Sequence, residues 1–212
     1  MNNLFKKGTF KKIDNNFMVA GQEALIRLSD VQKQFNKGDI DSLLNELHDS
    51  MVGFYLGFQL VNVEKHGFDC KYSEKLDVFL ESKVAALSAK TWNATFNDTN
   101  LDKCNAFKSE KLWLALSIWS NASELLCICY GQNPKIGEYL EGRVKSFKEG
   151  NSVRSTQSIS FQKLIEDYGF RVLTISTEPQ ELISILSLKS KSISKSLTIN
   201  KIDTLTNFNI LG

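Results

Sequence analysis

The chain has little or none of several features that identify common protein classes. Only 2 of its 212 residues are proline, and no run approaches the roughly 18 apolar residues of a membrane-spanning helix. The first residues, Met1–Lys7, do not have the apolar core of a signal peptide, so we expect a cytoplasmic protein without a membrane partner. No glycine-rich phosphate loop of the Walker or dinucleotide type is present, which argues against dependence on ATP or NAD.

Cysteine and net charge are also low. The 4 cysteines do not have the spacing of a zinc site, and Cys127 and Cys129 alternate onto one face of an apolar segment. We therefore expect reduced, mostly buried thiols. A net charge of +2 argues against a tail that grips nucleic acid indiscriminately, although it permits a local basic cleft. With 42% hydrophobic residues, the chain can bury a substantial core.

The order of apolar patterns predicts an α/β fold with a mixed central sheet flanked by helices. Helical spacing predicts helices at 21–35, from about 41 to 58, and at 136–147, 161–168 and 178–188. Strands are predicted at 61–64, 112–119, 125–130 and 170–176, with a helix as the alternative at 112–119, and an edge hairpin is predicted in the tail from Lys189. We expect one domain over 1–212, comprising a basic helical segment (1–38), a core (39–150) and an α/β extension (151–212).

The most informative pattern lies in residues 66–84, where a polar middle separates two segments that can extend as a β-hairpin. If the turn centres on Lys75, residues whose numbers sum to 150 face each other, and Asp69 lies opposite Glu81 with Cβ atoms roughly 5 Å apart. Lys83 points to the same face as Glu81 because strand side chains alternate. Mg²⁺ is usually held by one or two carboxylates plus substrate phosphate oxygens. The trio of Asp69, Glu81 and Lys83 therefore predicts metal-assisted phosphodiester hydrolysis.

Other interpretations of the same charges remain open. The hairpin can be an amphipathic edge element that carries a solvated ion pair. Asp69-Cys70-Lys71 is itself an Asp-x-Lys tripeptide, although it would need another acid upstream. Asp77 and Glu81 form a further carboxylate pair, but four residues along a strand separate them by roughly 13 Å, which is too far to share one metal ion.

Two segments, Gly67-Phe68-Asp69 and Leu80-Glu81-Ser82-Lys83, together with the hairpin between them, resemble the core of the PD-(D/E)XK nuclease superfamily. The resemblance is closest to its type II restriction endonucleases. It implies that Asp69 and Glu81 bind Mg²⁺ and that Lys83 assists the attacking water. It also implies a restriction-endonuclease-like core and a cognate DNA methyltransferase in the same system. We expect a homodimer on double-stranded DNA, because a palindromic site matches two-fold symmetry.

The resemblance has one departure and one possible extension. Phe68 stands where the family name has proline, at a position that varies in the family. Some members add a helical glutamate to the metal site, and Glu46 is the candidate here, with a solvated helix face as the alternative. Two other functions stay open: a structure- or end-specific nuclease of repair, recombination or phage origin with the same core, and a non-catalytic DNA-binding protein.

Two polar segments are candidates for DNA contact. In Thr91–Asn100, aromatic residues alternate with amides and hydroxyls, which suit base edges and phosphates and give the candidates Asn93, Thr95 and Asn97. The alternative there is a loop that ends in a helix cap at Asp98 or Thr99. The connection 145–158 is the predicted specificity loop, with a polar linker as the alternative. In it, Arg154 can hydrogen-bond to guanine and Gln157 to adenine, and two hydroxyl groups can bind phosphates. Those hydroxyls belong to Ser155 and Thr156.

Overall fold

The computed structural model describes residues 9–10, 13–35, 42–62, 68–97, 99–148, 156–206 and 208. It has the α/β architecture that the sequence predicts, a mixed central sheet flanked by helices. The helices are α1 (Asn15–Phe35), α2 (Ser42–Tyr55), α3 (Leu101–Phe107), α4 (Lys135–Lys148), α5 (Phe161–Glu166), α6 (Pro179–Lys189) and α7 (Ile193–Ser196), with a 3₁₀ turn at Ile199–Lys201.

Ten strands belong to two sheets. They are β1 (Thr9–Phe10), β2 (Gln59–Asn62), β3 (Cys70–Lys71), β4 (Phe79–Ala86), β5 (Asn93–Phe96), β6 (Leu112–Trp119), β7 (Leu125–Gly131), β8 (Gln157–Ser160), β9 (Arg171–Thr174) and β10 (Ile202–Asp203). The central sheet has the order β1-β2-β3-β4-β6-β7-β9-β10, and β5 pairs separately with β8. Within the central sheet β4 runs parallel to β6 and β9 parallel to β10, whereas the other pairs are antiparallel.

Apolar side chains cover both faces of the central strands, as expected for strands buried in the middle of an α/β sheet. On one face Leu80 packs in a cluster with Met51 and Val52 of α2. On the other, Leu114 packs in a cluster with Leu140 of α4 and with residues of α3, α5 and α6. The predicted strands at 112–119 and 125–130 are confirmed as β6 and β7, so the alternative of a helix at 112–119 is wrong.

All four cysteines are free and buried, as predicted. Cys127 and Cys129 point into the same core cluster, which also includes Cys104. Cys70 lies on the opposite side of the sheet, where its Sγ donates to the carbonyl of Asp49 at 3.5 Å. Burial raises the pKa of the Cys127 thiol and keeps it in the protonated form.

Within the segment 91–100, for which a loop was the alternative interpretation, residues Asn93–Phe96 form the strand β5, which pairs with β8. Its alternation of polar and apolar residues is the reason, because Ala94 and Phe96 are fully buried while Thr95 faces out. The cap of α3 is also one residue further on than predicted, since the side chain of Asn100 accepts from the Lys103 backbone N–H at 2.8 Å.

The edge hairpin predicted from Lys189 onward is wrong. The chain forms α7, the 3₁₀ turn and the strand β10, which runs parallel to β9. Ile193 and Leu197 are four residues apart and both buried, which is helical spacing, whereas Ile199 is 57% exposed and does not continue an alternating strand. Asp203 then ties β10 to the sheet through two hydrogen bonds from Arg171, at 2.6 and 2.8 Å.

The other predicted elements are present with shifted ends. α1 begins six residues earlier than predicted because Asp14 accepts from the Phe17 backbone N–H at 2.9 Å and caps it. β2 begins two residues earlier than the predicted strand at 61–64. Within the described part of the chain, none of the helices combines the length and the apolar character needed to cross a membrane.

Candidate active site

The hairpin of β3 and β4 has the predicted register. Cys70 lies opposite Leu80 and Lys71 opposite Phe79, so residues whose numbers sum to 150 face each other. Asp69 immediately precedes β3, and this register brings it beside Glu81. β4 is an interior strand between β3 and β6, so the alternative of an edge hairpin is wrong.

Glu81 is the centre of a small ionic cluster and is only 4% exposed. Its Oε1 accepts from the Nζ of Lys83 and from the Nζ of Lys103, each at 2.7 Å. Burial alone would raise the pKa of this carboxyl, but the two ammonium groups outweigh burial and lower the pKa below its usual value. Burial lowers the pKa of Lys83, and the charges of Glu81 and Asp69 reverse that effect and raise the pKa to about 12.

Asp69 lies in the same cluster but has the opposite protonation preference. Its Oδ2 accepts from the Ser82 backbone N–H at 2.7 Å. Burial raises the pKa of this carboxyl well above its ordinary value, and the negative charges of Glu81 and Asp49 raise it further. Folding therefore shifts Asp69 towards its protonated form, partly through the charge of its neighbour Glu81.

Two members of the cluster were not predicted from the sequence. Lys103 belongs to α3, which is part of the connection between the parallel strands β4 and β6. No short-range sequence pattern indicates that its side chain contacts Glu81. Asp49 comes from α2, and its charge raises the pKa values of both Asp69 and Cys70. Its spacing of three residues from Glu46 on one helix could have suggested it. Glu46 lies in α2, and its side chain is outside the described residues.

The other charged residues that the sequence offered in this hairpin, Lys71 and Asp77, form an ion pair with each other. Lys71 Nζ lies 3.0 Å from Asp77 Oδ1, and the Asp77 side chain is 59% exposed. The Asp77 carboxylate of this pair is therefore in solvent although the Lys71 side chain is only 12% exposed, whereas the Glu81 carboxylate is buried. Neither the Asp-x-Lys tripeptide that ends at Lys71 nor a pair of Asp77 with Glu81 therefore accounts for the buried cluster.

The donor set of Asp69 and Glu81 fits a magnesium ion. Over the described residues, no group of three or more His, Cys, Asp or Glu side chains is arranged to hold a metal. Mg²⁺ does not require one, because it retains water and takes phosphate oxygens from its substrate beside one or two carboxylates.

The residues predicted to contact DNA differ in how exposed their side chains are. Thr95 and Asn97 are exposed, Asn93 is half-buried at the other end of β5, and the exposed Thr156 donates to Asn97 Oδ1 at 3.4 Å. Gln157 is only 8% exposed in β8, so its side chain contacts a ligand only after rearrangement. Arg154 and Ser155 lie outside the described residues.

A cleft of about 160 Å³ lies at one end of the β5–β8 pair. Asn93 lines it together with Lys90, Lys189, Gln162 and Ser190. This cleft does not include the ionic cluster around Glu81. Its lining combines apolar residues such as Trp92 and Phe161 with the cations, amides and hydroxyls that suit phosphate groups.

Comparisons with protein-family models, with curated proteins and with solved structures find no significant match to this chain. The interpretation of the site therefore depends on its own geometry.

Proposed function

We propose that this protein is a Mg²⁺-dependent deoxyribonuclease that cuts duplex DNA at a short specific sequence, as type II restriction endonucleases do. The proposal is carried by one observation: Asp69, just before β3, and Glu81, on the neighbouring strand β4, converge with Lys83 in one ionic cluster around a buried carboxylate. Burial of Glu81 next to a second acid whose pKa it raises opposes folding, and strongly shifted groups of this kind are typical of functional sites.

Each residue has a distinct task in this proposal. Asp69 and Glu81 hold the metal ion. When bound, Mg²⁺ supplies an acidified water, polarises the scissile phosphate and neutralises developing charge. Lys83 lies beside the metal ligands on the same face of β4, where its ammonium group orients the attacking water and stabilises the negative transition state.

The surrounding topology supports a restriction-endonuclease-like core. The chain runs from α2 through the antiparallel strands β2, β3 and β4, then crosses through β5 and α3 to β6, which is parallel to β4. Every residue of the cluster belongs to this segment, at 49–103. The supporting elements α4, α5 and α6 contribute to the core cluster on one face of the sheet.

Nucleic acid is the substrate class that best fits the polar surface near the site. Thr95 in β5 and Asn97 just after it are exposed, and β5 is the next strand along the chain after the one that carries Glu81. The cleft lined by Lys90 and Lys189 adds two cations at the other end of β5. Cations and hydroxyls position a phosphate backbone, while amides read base edges.

The test is digestion of phage DNA of known sequence with Mg²⁺, followed by mapping of the ends. We expect discrete fragments, and we expect Glu81→Ala or Lys83→Ala to slow cleavage by about 100-fold or more while DNA binding persists. Asp77→Ala is the matched control, because it removes an exposed acid from the same hairpin and should leave cleavage unchanged.

Other outcomes identify the alternatives. Fragments without fixed ends, or products cut only at flaps and junctions, would replace the proposal with a structure-specific nuclease of the same core. Binding without any metal-dependent cleavage would indicate a non-catalytic DNA-binding protein. Normal cleavage by both Glu81→Ala and Lys83→Ala would show that the active site is elsewhere.

A further inference from the structure

Lys103 is the one cation of the cluster that does not come from the hairpin. It lies on α3, and its Nζ contacts the same oxygen of Glu81 that Lys83 contacts, at the same distance of 2.7 Å. Its side chain keeps 23% of its surface exposed, so the ammonium group has a route to solvent. The proposed hydrolysis assigns no role to Lys103.

Two ammonium groups and a metal ion cannot all occupy the same side of one carboxylate oxygen. Mg²⁺ binds at about 2.0–2.1 Å from its oxygen ligands and demands near-ideal octahedral geometry. Lys83 lies two positions from Glu81 on the same face of β4, which keeps it at the site. Lys103 belongs to another element and can leave by rotating its side chain.

We propose that Lys103 transfers from Glu81 to a non-bridging phosphate oxygen of the bound DNA strand when Mg²⁺ occupies Asp69 and Glu81. This inference rests on the proposed nuclease function and adds a metal-dependent phosphate ligand to it. Before metal binds, Lys103 neutralises a buried carboxylate. After metal binds, the same charge is free to hold the substrate beside the reacting centre.

Lys108 provides a matched control at the end of the same helix. It is the C-cap residue of α3, and its Nζ pairs with Glu141 Oε2 at 2.9 Å rather than with Glu81. Lys103→Gln and Lys108→Gln remove the same charge from the same region. Only the first removes a competitor for the metal ligand.

The first measurement is calorimetric titration of the DNA-free protein with Mn²⁺. We expect Lys103→Gln to bind the ion several-fold more tightly than the unsubstituted protein, and Lys108→Gln to bind it equally well. Lys103→Arg, which keeps the positive charge, should not show the gain. Equal or weaker binding by Lys103→Gln, in a protein whose thermal unfolding shows that it is folded, would overturn the competition between Lys103 and the metal.

The second measurement is the salt dependence of duplex binding in a Lys83→Ala background, which prevents cleavage. Each phosphate contact contributes about 0.9 to the slope of log affinity against log salt. With Mg²⁺ present, Lys103→Gln should lower the magnitude of that slope by about 0.9. The loss of DNA affinity between 50 and 200 mM salt should then be smaller by a factor of about 3.5 than in the protein that retains Lys103. Without divalent metal the slope should not change, because Lys103 is then paired with Glu81.

The results separate this inference from the function on which it rests. A protein that neither binds nor cuts DNA would overturn both. A protein that cuts DNA but whose Mg²⁺-dependent slope is the same with and without Lys103 would overturn only the phosphate contact. Loss of the slope in the Lys108→Gln control as well would show that α3 contributes general charge rather than one specific ligand.

Discussion

Asp69, which is half-buried, and Glu81, which is buried, are neighbouring acids whose pKa values move in opposite directions. Glu81 has two ammonium partners on one oxygen, so its charged form is favoured. Asp69 has one backbone N–H donor and faces the charges of Glu81 and Asp49, so its neutral form is favoured. The two acids should therefore respond in opposite ways to the loss of their charge.

We expect Asp69→Asn to stabilise the metal-free protein by roughly 0.5–2 kcal/mol, a common gain when a functional residue under unfavourable burial is replaced. Because the folded pKa of Asp69 is raised, its ionisation costs stability as the pH rises above about 4, and the gain should grow in that direction. Urea unfolding at several pH values measures the effect. Lower stability of Asp69→Asn near neutral pH would contradict it.

Glu81→Gln should instead destabilise the protein, by about 1–3 kcal/mol, because two ammonium groups lose their shared counter-ion. Asp69 limits the loss, since its carboxylate can then serve Lys83. The same urea unfolding series at neutral pH measures this variant. A stability equal to that of the unsubstituted chain would mean that the cluster contributes nothing through Glu81.

The sequence was sufficient for the part of the site that lies on one hairpin. Strand alternation brings Lys83 to the face of Glu81, and the turn position brings Asp69 opposite, so the register followed from the pattern alone. Lys103 and Asp49 could not be predicted in the same way. Their contacts depend on how α3 and α2 dock against the sheet, which no local spacing determines.

At the scale of elements, α3 and α4 approach closely at one glycine. A Cβ atom at Gly137 would lie 2.7 Å from the backbone nitrogen of Lys108 and would also meet the carbonyl oxygen of Cys104. Backbone atoms cannot move aside as a flexible side chain can. Gly142 lies in the same helix, and a Cβ atom there would contact nothing within 4 Å.

These two glycines of α4 should respond oppositely to alanine. Gly137→Ala should destabilise the protein by about 1–3 kcal/mol because the helices must separate. Gly142→Ala should stabilise it by roughly 0.5–1 kcal/mol, the usual difference between the two residues inside a helix. Thermal unfolding compares them directly, and a loss of stability in both would contradict the assignment of the contact to Gly137.

Elements with strong periodicity were predicted well, and those with ambiguous periodicity were not. α2 has apolar residues at helical spacing and β7 is a continuous apolar run, and both elements were found where expected. The prediction of a hairpin in the tail was wrong because two apolar patterns overlap there. The alternation of Leu197 and Ile199 resembles a strand, while the spacing of Ile193 and Leu197 fits a helical turn. Burial against α6 decided between them, and burial is a tertiary property.

At the scale of the whole molecule, one histidine connects α2 to the turn between β6 and β7. His48 is 1% exposed, its Nε2 lies 2.9 Å from the Ala122 carbonyl, and its ring is 4.0 Å from that of Trp119. Burial lowers the pKa of His48, and the hydrogen bond to Ala122 only partly offsets this effect. The folded protein therefore resists protonation of this ring.

Stability should fall as the pH drops from about 7 to 5, because the unfolded chain takes up a proton near pH 6.5 that folded His48 does not. Above that range the contribution is fully present. Replacing His48 with Gln should flatten this acid-dependent loss in urea unfolding. An unchanged pH profile in His48→Gln would assign the loss to other groups.

The four buried thiols provide an internal reporter of which parts of the chain open in solution. Cys70 immediately follows Asp69 and Cys104 follows Lys103, whereas Cys127 and Cys129 lie in the interior strand β7. Alkylation can modify each thiol only when its surroundings transiently open. Mg²⁺ and DNA should therefore slow labelling of Cys70 and Cys104 more than that of the β7 pair, so mass spectrometry of the alkylated protein could locate the bound ligand without any substitution.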